Sequence, residues 1–269
     1  MTEIYGSDAY APDQIAERVE TVGVQKANLP LLKLIALGVL AGGFIGLGAM
    51  FFLIVASDPS LSFAVQRVLG GLVFSLGLIL VVVAGAELFT GNNLMVMAWV
   101  SRKIPLSRLL RNLTIVYFAN FFGAAGLALL VAYSGHLEMN EGGIGQTASA
   151  LAVSKLSLSF PDAFLKGIIC NILVCLAVWL AMAGRSVVDR IVGVIFPVTA
   201  FVAGGFEHCI ANQYFVPLAI FYGSDEVTWA SFLLNNLLPV TLGNLAGGAG
   251  MVGLVYWIIY RREAPDPQE

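Results

Sequence analysis

Glu207 and His208 separate two apolar runs, 191–206 and 209–224. A carboxylate at the centre of a membrane helix costs about 2.5–3.5 kcal/mol on insertion scales if it stays ionised without partners. Such a pair is a functional-site candidate by default. The imidazole can donate, accept or carry charge near neutral pH, so His208 is read as lining a polar path. The alternative is a buried neutral ring with its hydrogen bonds satisfied. Glu207 is expected to orient His208 or to cap free backbone amides.

The first half of the chain has a counterpart. Glu87 falls between the uncharged runs 68–86 and 88–101, where it either serves a broken helix or marks the end of an ordinary one. A helix broken inside a bilayer leaves amide and carbonyl groups that must find partners. The stretch Glu87, Leu88, Phe89, Thr90, Gly91, Asn92, Asn93 has residues for that task. Thr90, Asn92 and Asn93 can bond backbone, and Gly91 permits a turn. A half-helix starting near Asn93 would aim its positive end inward and favour an anion. Pro197 and Pro217 fit interrupted helices. Lys155, outside the fourth span, is either a cation that concentrates anions at a mouth or a solvated surface charge. Asn171 either bonds between helices or lines the path.

These residues must be positioned by membrane helices. The chain of 269 residues is 58% hydrophobic and only 12% charged, far below the quarter found in soluble domains. The runs 34–56, 112–135, 167–184 and 227–260 are long enough, or nearly so, to cross a core of about 30 Å. The two broken runs bring the count to six spans, an all-α membrane fold with spans 2 and 5 interrupted. Residues before Leu31 are polar, with no apolar stretch resembling a cleavable signal. Arg18, Lys26, Lys33, Arg102, Lys103, Arg108, Arg111, Arg185, Arg190, Arg261 and Arg262 then share one side, and Arg67, Lys155 and Lys166 the other. The positive-inside rule puts both termini in the cytoplasm. If 88–101 crossed separately, the basic cluster after it would be exported, so each broken pair is one crossing. No run of one charge sign occurs in the outer loops, and no nucleic-acid partner is expected. Cys170, Cys175 and Cys209 lie inside spans as small apolar groups. No metal spacing, cofactor motif or phosphate loop is present, so neither metal nor cofactor is expected.

The chain reads as a segment 1–30 on the inner side, a six-span domain 31–262, and a cytoplasmic tail 263–269. Within 1–30, residues 12–22 are predicted as a short amphipathic helix stopped by Gly23. It is read as an interfacial anchor, the alternative being a plug under a pore mouth. The six-span domain divides into halves of about 31–135 and 161–262. Asn112, Asn120, Gly123 and Gly126 have the spacing of Asn236, Asn244, Gly247 and Gly250, and Glu87 has that of Glu207. Three spans per half is an odd number, so the halves must insert in opposite senses, as an inverted repeat. Gly38, Gly42 and Gly46, and Gly243 and Gly247, recur every fourth residue, which lets helix backbones approach closely. Trp99, Trp229, Tyr256, Trp257 and Tyr260 sit near span ends as interface anchors. The stretches 135–160 and 223–231 are read as outer loops.

At these residues the chain resembles the formate/nitrite transporter family. The matching pieces are Phe74 to Leu78, Glu87 to Gly91, Gly167 to Asn171, Gly205 to Asn212, and Pro239 to Asn244. The resemblance implies an aquaporin-like fold of six spans, a homopentamer with one pore per protomer, and passage of formate, nitrite, hydrosulfide or a related small anion. By matched position, Phe74, Leu78 and Phe201 are the expected constrictions. Thr90 is the threonine that meets the central histidine, His208. Lys155 is the vestibule lysine, and Asn171 and Asn244 are polar lining. The pattern leans to the formate-channel branch, in an inner membrane.

In that reading an anion collects near Lys155, meets apolar slits, and is held or protonated by His208. Two rivals are weighed beside it. A neutral-solute channel lacks the paired Asn-Pro-Ala signatures, and a bis-histidine haem subunit needs two histidines within spans, where only His208 occurs.

Overall fold

The computed structural model describes residues 8–262, so the tail 263–269 expected in the cytoplasm lies outside the described residues. Among the described residues all regular structure is helical, apart from one antiparallel bridge between Ala9 and Gly184. In chain order the helices are α1 (Pro12–Ala27), α2 (Leu31–Ala56), α3 (Phe63–Gly85), α4 (89–100), α5 (Leu106–Ala132), α6 (Gly143–Leu156), α7 (Phe160–Ala183), α8 (Val187–Ala203), α9 (Cys209–Tyr222) and α10 (Trp229–Tyr260). Five of these, α2, α3, α5, α7 and α10, are long and apolar enough to cross a membrane. Helices α8 and α9 have 17 and 14 residues. Large apolar side chains such as Leu32, Phe63, Phe122, Leu130 and Phe196 face outward, as lipid contact requires.

Small residues set the helix crossings. A Cβ on Gly42 of α2 would strike the carbonyl of Asn120 on α5, and one on Gly123 would strike that of Val39. Helices α7 and α10 meet in the same way through Gly167 and Gly243. Backbones at this range gain dispersion contact along their length. They also bring Asn120 of α5 and Asn244 of α10 within reach of the neighbouring helix.

Three sequence expectations are corrected here. Helix α1 does not stop at Gly23 but continues to Ala27. Gly23 serves a close approach instead, since a Cβ there would crowd Ala98. The apolar face of α1 is not an interfacial anchor, because Ile15 and Val19 are buried against Leu94, Met97 and Trp179 of the protein itself. The stretch 135–160, read as loop, contains α6. Its buried face is Ile144, Gly145, Ala148 and Ala152, and residues that small give little hydrophobic contrast in a sequence. Pro197 and Pro217, read as fitting interrupted helices, lie inside α8 and α9, the two helices that flank the second break.

Two of the basic residues expected on one side, Lys103 and Arg261, meet at a single carboxylate. Glu20 of α1, fully buried, accepts from Lys103 Nζ at 2.6 Å and from Arg261 Nε at 3.2 Å. The Ser101 hydroxyl also donates to it, and Trp257 Nε1 donates to that hydroxyl at 2.8 Å. Glu20 therefore ties α1 to the ends of α4 and α10. A Glu20→Gln variant leaves two cations facing a neutral amide. We expect α1 to loosen, seen as faster amide exchange over residues 12–27 with α2 unchanged; equal exchange in both proteins would refute this role for Glu20.

Candidate functional site

Helix α3 ends in a widened turn, 80–85, and Gly85 takes φ +87° to let the chain leave the axis. Helix α8 ends the same way, with Gly205 at φ +70°. Each end is closed by an amide reaching back five residues, Ala86 N to Val81 O at 3.0 Å and Phe206 N to Phe201 O at 3.0 Å. The chain is then extended for a few residues. It restarts as α4 from Leu88 (φ −106°, ψ 125°) and as α9 from His208 (φ −108°, ψ 113°). Helix α4 thus begins at Phe89, four residues before the start expected near Asn93.

The freed backbone groups are satisfied by one asparagine at each break. Asn120 Oδ1 accepts from Phe89 N at 2.9 Å, while its amide donates to Glu87 O at 2.9 Å and to Gly38 O at 2.7 Å. Asn244 repeats this with Cys209 N at 2.9 Å, Glu207 O at 2.9 Å and Gly167 O at 2.7 Å. The amide of Glu87 donates to Leu37 O, and that of Glu207 to Lys166 O.

The two carboxylates are held by matching networks. Glu87 accepts from Lys26 Nζ at 2.7 Å and Asn92 Nδ2 at 2.7 Å, and Asn92 in turn donates to Asn112 Oδ1 at 2.8 Å. Glu207 accepts from Lys155 Nζ at 2.8 Å and Asn212 Nδ2 at 2.7 Å, and Asn212 donates to Asn236 Oδ1 at 2.8 Å. The outer asparagines return to the lysine backbone, Asn112 to Lys26 O and Asn236 to Lys155 O. Each carboxylate is buried beside a lysine and accepts from an asparagine as well, and such added hydrogen bonds are what a buried ion pair needs to persist.

Two consequences differ from the sequence expectations. Glu207 makes no bond to His208, and Lys155 is not a free cation at a mouth. Sequence reasoning also missed Lys26, Asn112, Asn212 and Asn236 as members of the networks. The equal spacing of Asn92 from Glu87 and of Asn212 from Glu207, five residues in each half, was an available signal, whereas the lysines lie 61 and 52 residues before their carboxylates and gave none.

His208 is placed by its own helix start. Nδ1 accepts from Ala211 N at 3.1 Å, and Nε2 lies 2.9 Å from Thr90 Oγ1. With Nδ1 accepting, the ring proton belongs on Nε2, directed at Thr90. Thr90 belongs to the other break, so the two interruptions touch through this bond. The Thr90 carbonyl faces the Cys175 thiol at 3.5 Å and the Asn171 amide at 3.4 Å. Asn171 also donates to Asn244 O at 2.7 Å. Asn93 donates to Phe89 O at 2.7 Å.

Two cavities approach this centre. One, of about 480 Å³, is walled by Leu78, Glu87, Leu88, Gly91 and Asn92 together with α1. The other, of about 260 Å³, is walled by Phe74, Lys155, Phe201, Glu207 and His208. Phe74 and Phe201 meet edge to face at 5.7 Å, and Phe201 stacks on the His208 ring at 5.8 Å. Phe74 and Leu78 are one helical turn apart on α3 and wall different cavities. The partition between the cavities is therefore about one turn thick, roughly 5–6 Å. Asn171 and Asn244, expected as polar lining, wall neither cavity, because their amides are used on backbone behind the breaks. Phe89, Thr90 and Asn93 are buried there too. Among the described residues no cluster of ligands could hold a metal.

Lys155→Met removes the partner of a carboxylate that is almost wholly buried, a loss of about 3–5 kcal/mol. Lys26 is more exposed than Lys155, 23% against 12% of its side chain, so Lys26→Met is expected to lower the thermal midpoint less. Melting of the purified variants in detergent measures both; the reverse order would contradict this account of the networks.

The formate/nitrite transporter family model matches residues 13–258. The chain is 44% identical to an uncharacterized transporter, YrhG, of Bacillus subtilis, over 94% of each chain. It is 38% identical to the formate channel FocA of Escherichia coli, over 95% of this chain and 96% of that one. Its fold is similar to that of a pentameric formate channel with formate bound, with TM-score 0.80 and 41% identity over 86% of this chain and 97% of that chain. A second solved structure, an FNT family ion channel, gives TM-score 0.84 and 29% identity over 91% and 98%. With its long apolar helices this is an integral, multi-pass membrane protein and not an enzyme; the chain belongs to the formate/nitrite transporter family.

Proposed function

We propose that this protein passes small monovalent anions of weak acids, formate first among them, through one pore in each protomer of a homopentamer. Formate and pentameric assembly are carried over from its relatives, a formate channel and a pentameric formate channel with formate bound. In this reading α3 with α4, and α8 with α9, are two interrupted crossings among six, related as an inverted repeat. Both termini lie in the cytoplasm, so the cavity beneath α1 opens inward and the one beside α6 opens outward.

The observation that carries the reading is the position of His208. Its ring is buried at the partition between two cavities, it is stacked against Phe201, and its Nε2 points at the opposite break. An anion entering from the outer cavity leaves water at Phe74 and Phe201, where a bare charge is disfavoured. The starts of α4 and α9 offer their positive ends toward the centre. Thr90 and the Nε2–H of His208 then exchange their mutual bond for bonds to the anion, and Leu78 forms the next apolar step. A second proton on the ring would have to sit on Nδ1, where the Ala211 amide already points. His208 therefore acts as a hydrogen-bond donor that keeps its proton. The paired lysines and carboxylates add no net charge at the constriction.

Formate uptake into proteoliposomes tests this, with nitrite, nitrate and hydrosulfide as competitors. His208→Asn preserves the helix cap and removes Nε2. One hydrogen bond to a charged group is worth about 1.5–3 kcal/mol, so uptake is expected to fall about 10- to 150-fold. Wild-type rates in that variant, or glycerol permeating as fast as formate, would overturn the reading.

A further inference from the structure

The cavity beneath α1 carries charge that the networks at the breaks do not use. Its ionisable walls are Arg18, Lys26, Arg190 and Glu87. Glu87 is already matched to Lys26 at 2.7 Å. Among the described residues neither Arg18 nor Arg190 has a side-chain ion pair or hydrogen bond, and Arg18 Nε is buried without a partner. Two guanidinium groups therefore stand in excess at one mouth.

Arg18 is also held in place. Its guanidinium lies over the ring of Tyr10, 4.0 Å from the centroid, and Arg185 lies 4.1 Å from the same centroid. Tyr10 is fixed in turn by its amide, which donates to Ala183 O at 3.0 Å, and by the bridge from Ala9 to Gly184. Stacking occupies the flat face of a guanidinium and leaves its edge N–H groups available. Those edge groups form the planar fork that matches a carboxylate.

We propose that Arg18 and Arg190 form an anion-holding subsite in this cavity for a small planar carboxylate, with Tyr10 as the positioning residue for Arg18. The identity of the carboxylate rests on the function proposed above. An anion held here is concentrated one cavity short of the apolar partition, on the α1 face only. The Arg18–Tyr10 contact also makes the segment before α1 part of the mouth.

The test is formate flux in proteoliposomes of one orientation, measured from each face in turn. Arg18→Gln is expected to raise half-saturating formate on the α1 face about 10- to 150-fold, the worth of one charged hydrogen bond. The maximal rate should hold within about twofold, and half-saturation from the opposite face should not move. Tyr10→Ala should shift the same constant by a smaller factor, and Tyr10→Phe should rescue it, because the ring and not the hydroxyl is used. An unchanged constant in Arg18→Gln, an equal shift from both faces, or no rescue by Tyr10→Phe overturns the subsite. If Arg18→Gln does not assemble, Arg190→Gln carries the same comparison. A readout independent of flux separates this inference from the proposed function. Phenylglyoxal labelling of the full-length wild type, read by mass spectrometry, should be slowed by formate at Arg18 and Arg190. Absence of protection overturns the subsite even where formate crosses, and protection without flux overturns the transport reading alone.

Discussion

The structure depends on satisfying severed backbone in a dry interior. Where α3 and α8 end, amide and carbonyl groups face neither water nor a helical partner, and each such group left bare costs several kcal/mol in lipid. One asparagine per break meets this demand, because a carboxamide both donates and accepts. Asn120 and Asn244 each span the break and anchor to a carbonyl on a neighbouring helix. That reach exists only because glycine lets the helices close to backbone contact. The crossing angles, the asparagines and the breaks are thus one requirement expressed three times.

The carboxylates follow from the same constraint. An acid beside a broken helix fixes the chain as it restarts, but a bare one would repel an anion. Lys26 and Lys155 cancel that charge, and each is delivered by a short helix, α1 or α6, lying against the break. The matched networks therefore leave the centre electrically quiet. Among the positions that distinguish the two breaks, the one that starts each half-helix is Leu88 in one and His208 in the other. The leucine closes the helix start with hydrocarbon. The histidine caps its own helix through Nδ1 and has Nε2 left for Thr90. Polarity at the partition comes from that ring and the Thr90 hydroxyl, set against Phe201.

Charge that is not cancelled lies away from the partition, in the cavities. This division suits a path in which attraction gathers anions at the mouths while apolar walls decide passage. A cation placed at the narrowest point would bind an anion and hold it, whereas neutral donors there exchange with water at small net cost.

The sequence by itself determined the membrane class, the two candidate breaks and the Glu207-His208 pair. These follow from composition and from ionisable groups standing where lipid does not tolerate them, which are local properties. The equal spacing of Asn112 and Asn120 to Asn236 and Asn244 was visible too, but its purpose was not. Only the tertiary structure decided that Asn120 and Asn244 serve the severed backbone while Asn112 and Asn236 back the carboxylate networks, that Lys155 is bound to Glu207, and that Lys26 does the same for Glu87. Helix α6 was hidden because its buried face is small residues, and the end of α1 because Gly23 marks a close contact rather than a stop. In each case the partner lies 20 or more residues away in the chain. A hydrogen bond or ion pair at that separation exists only once helices have packed, and no local pattern records it.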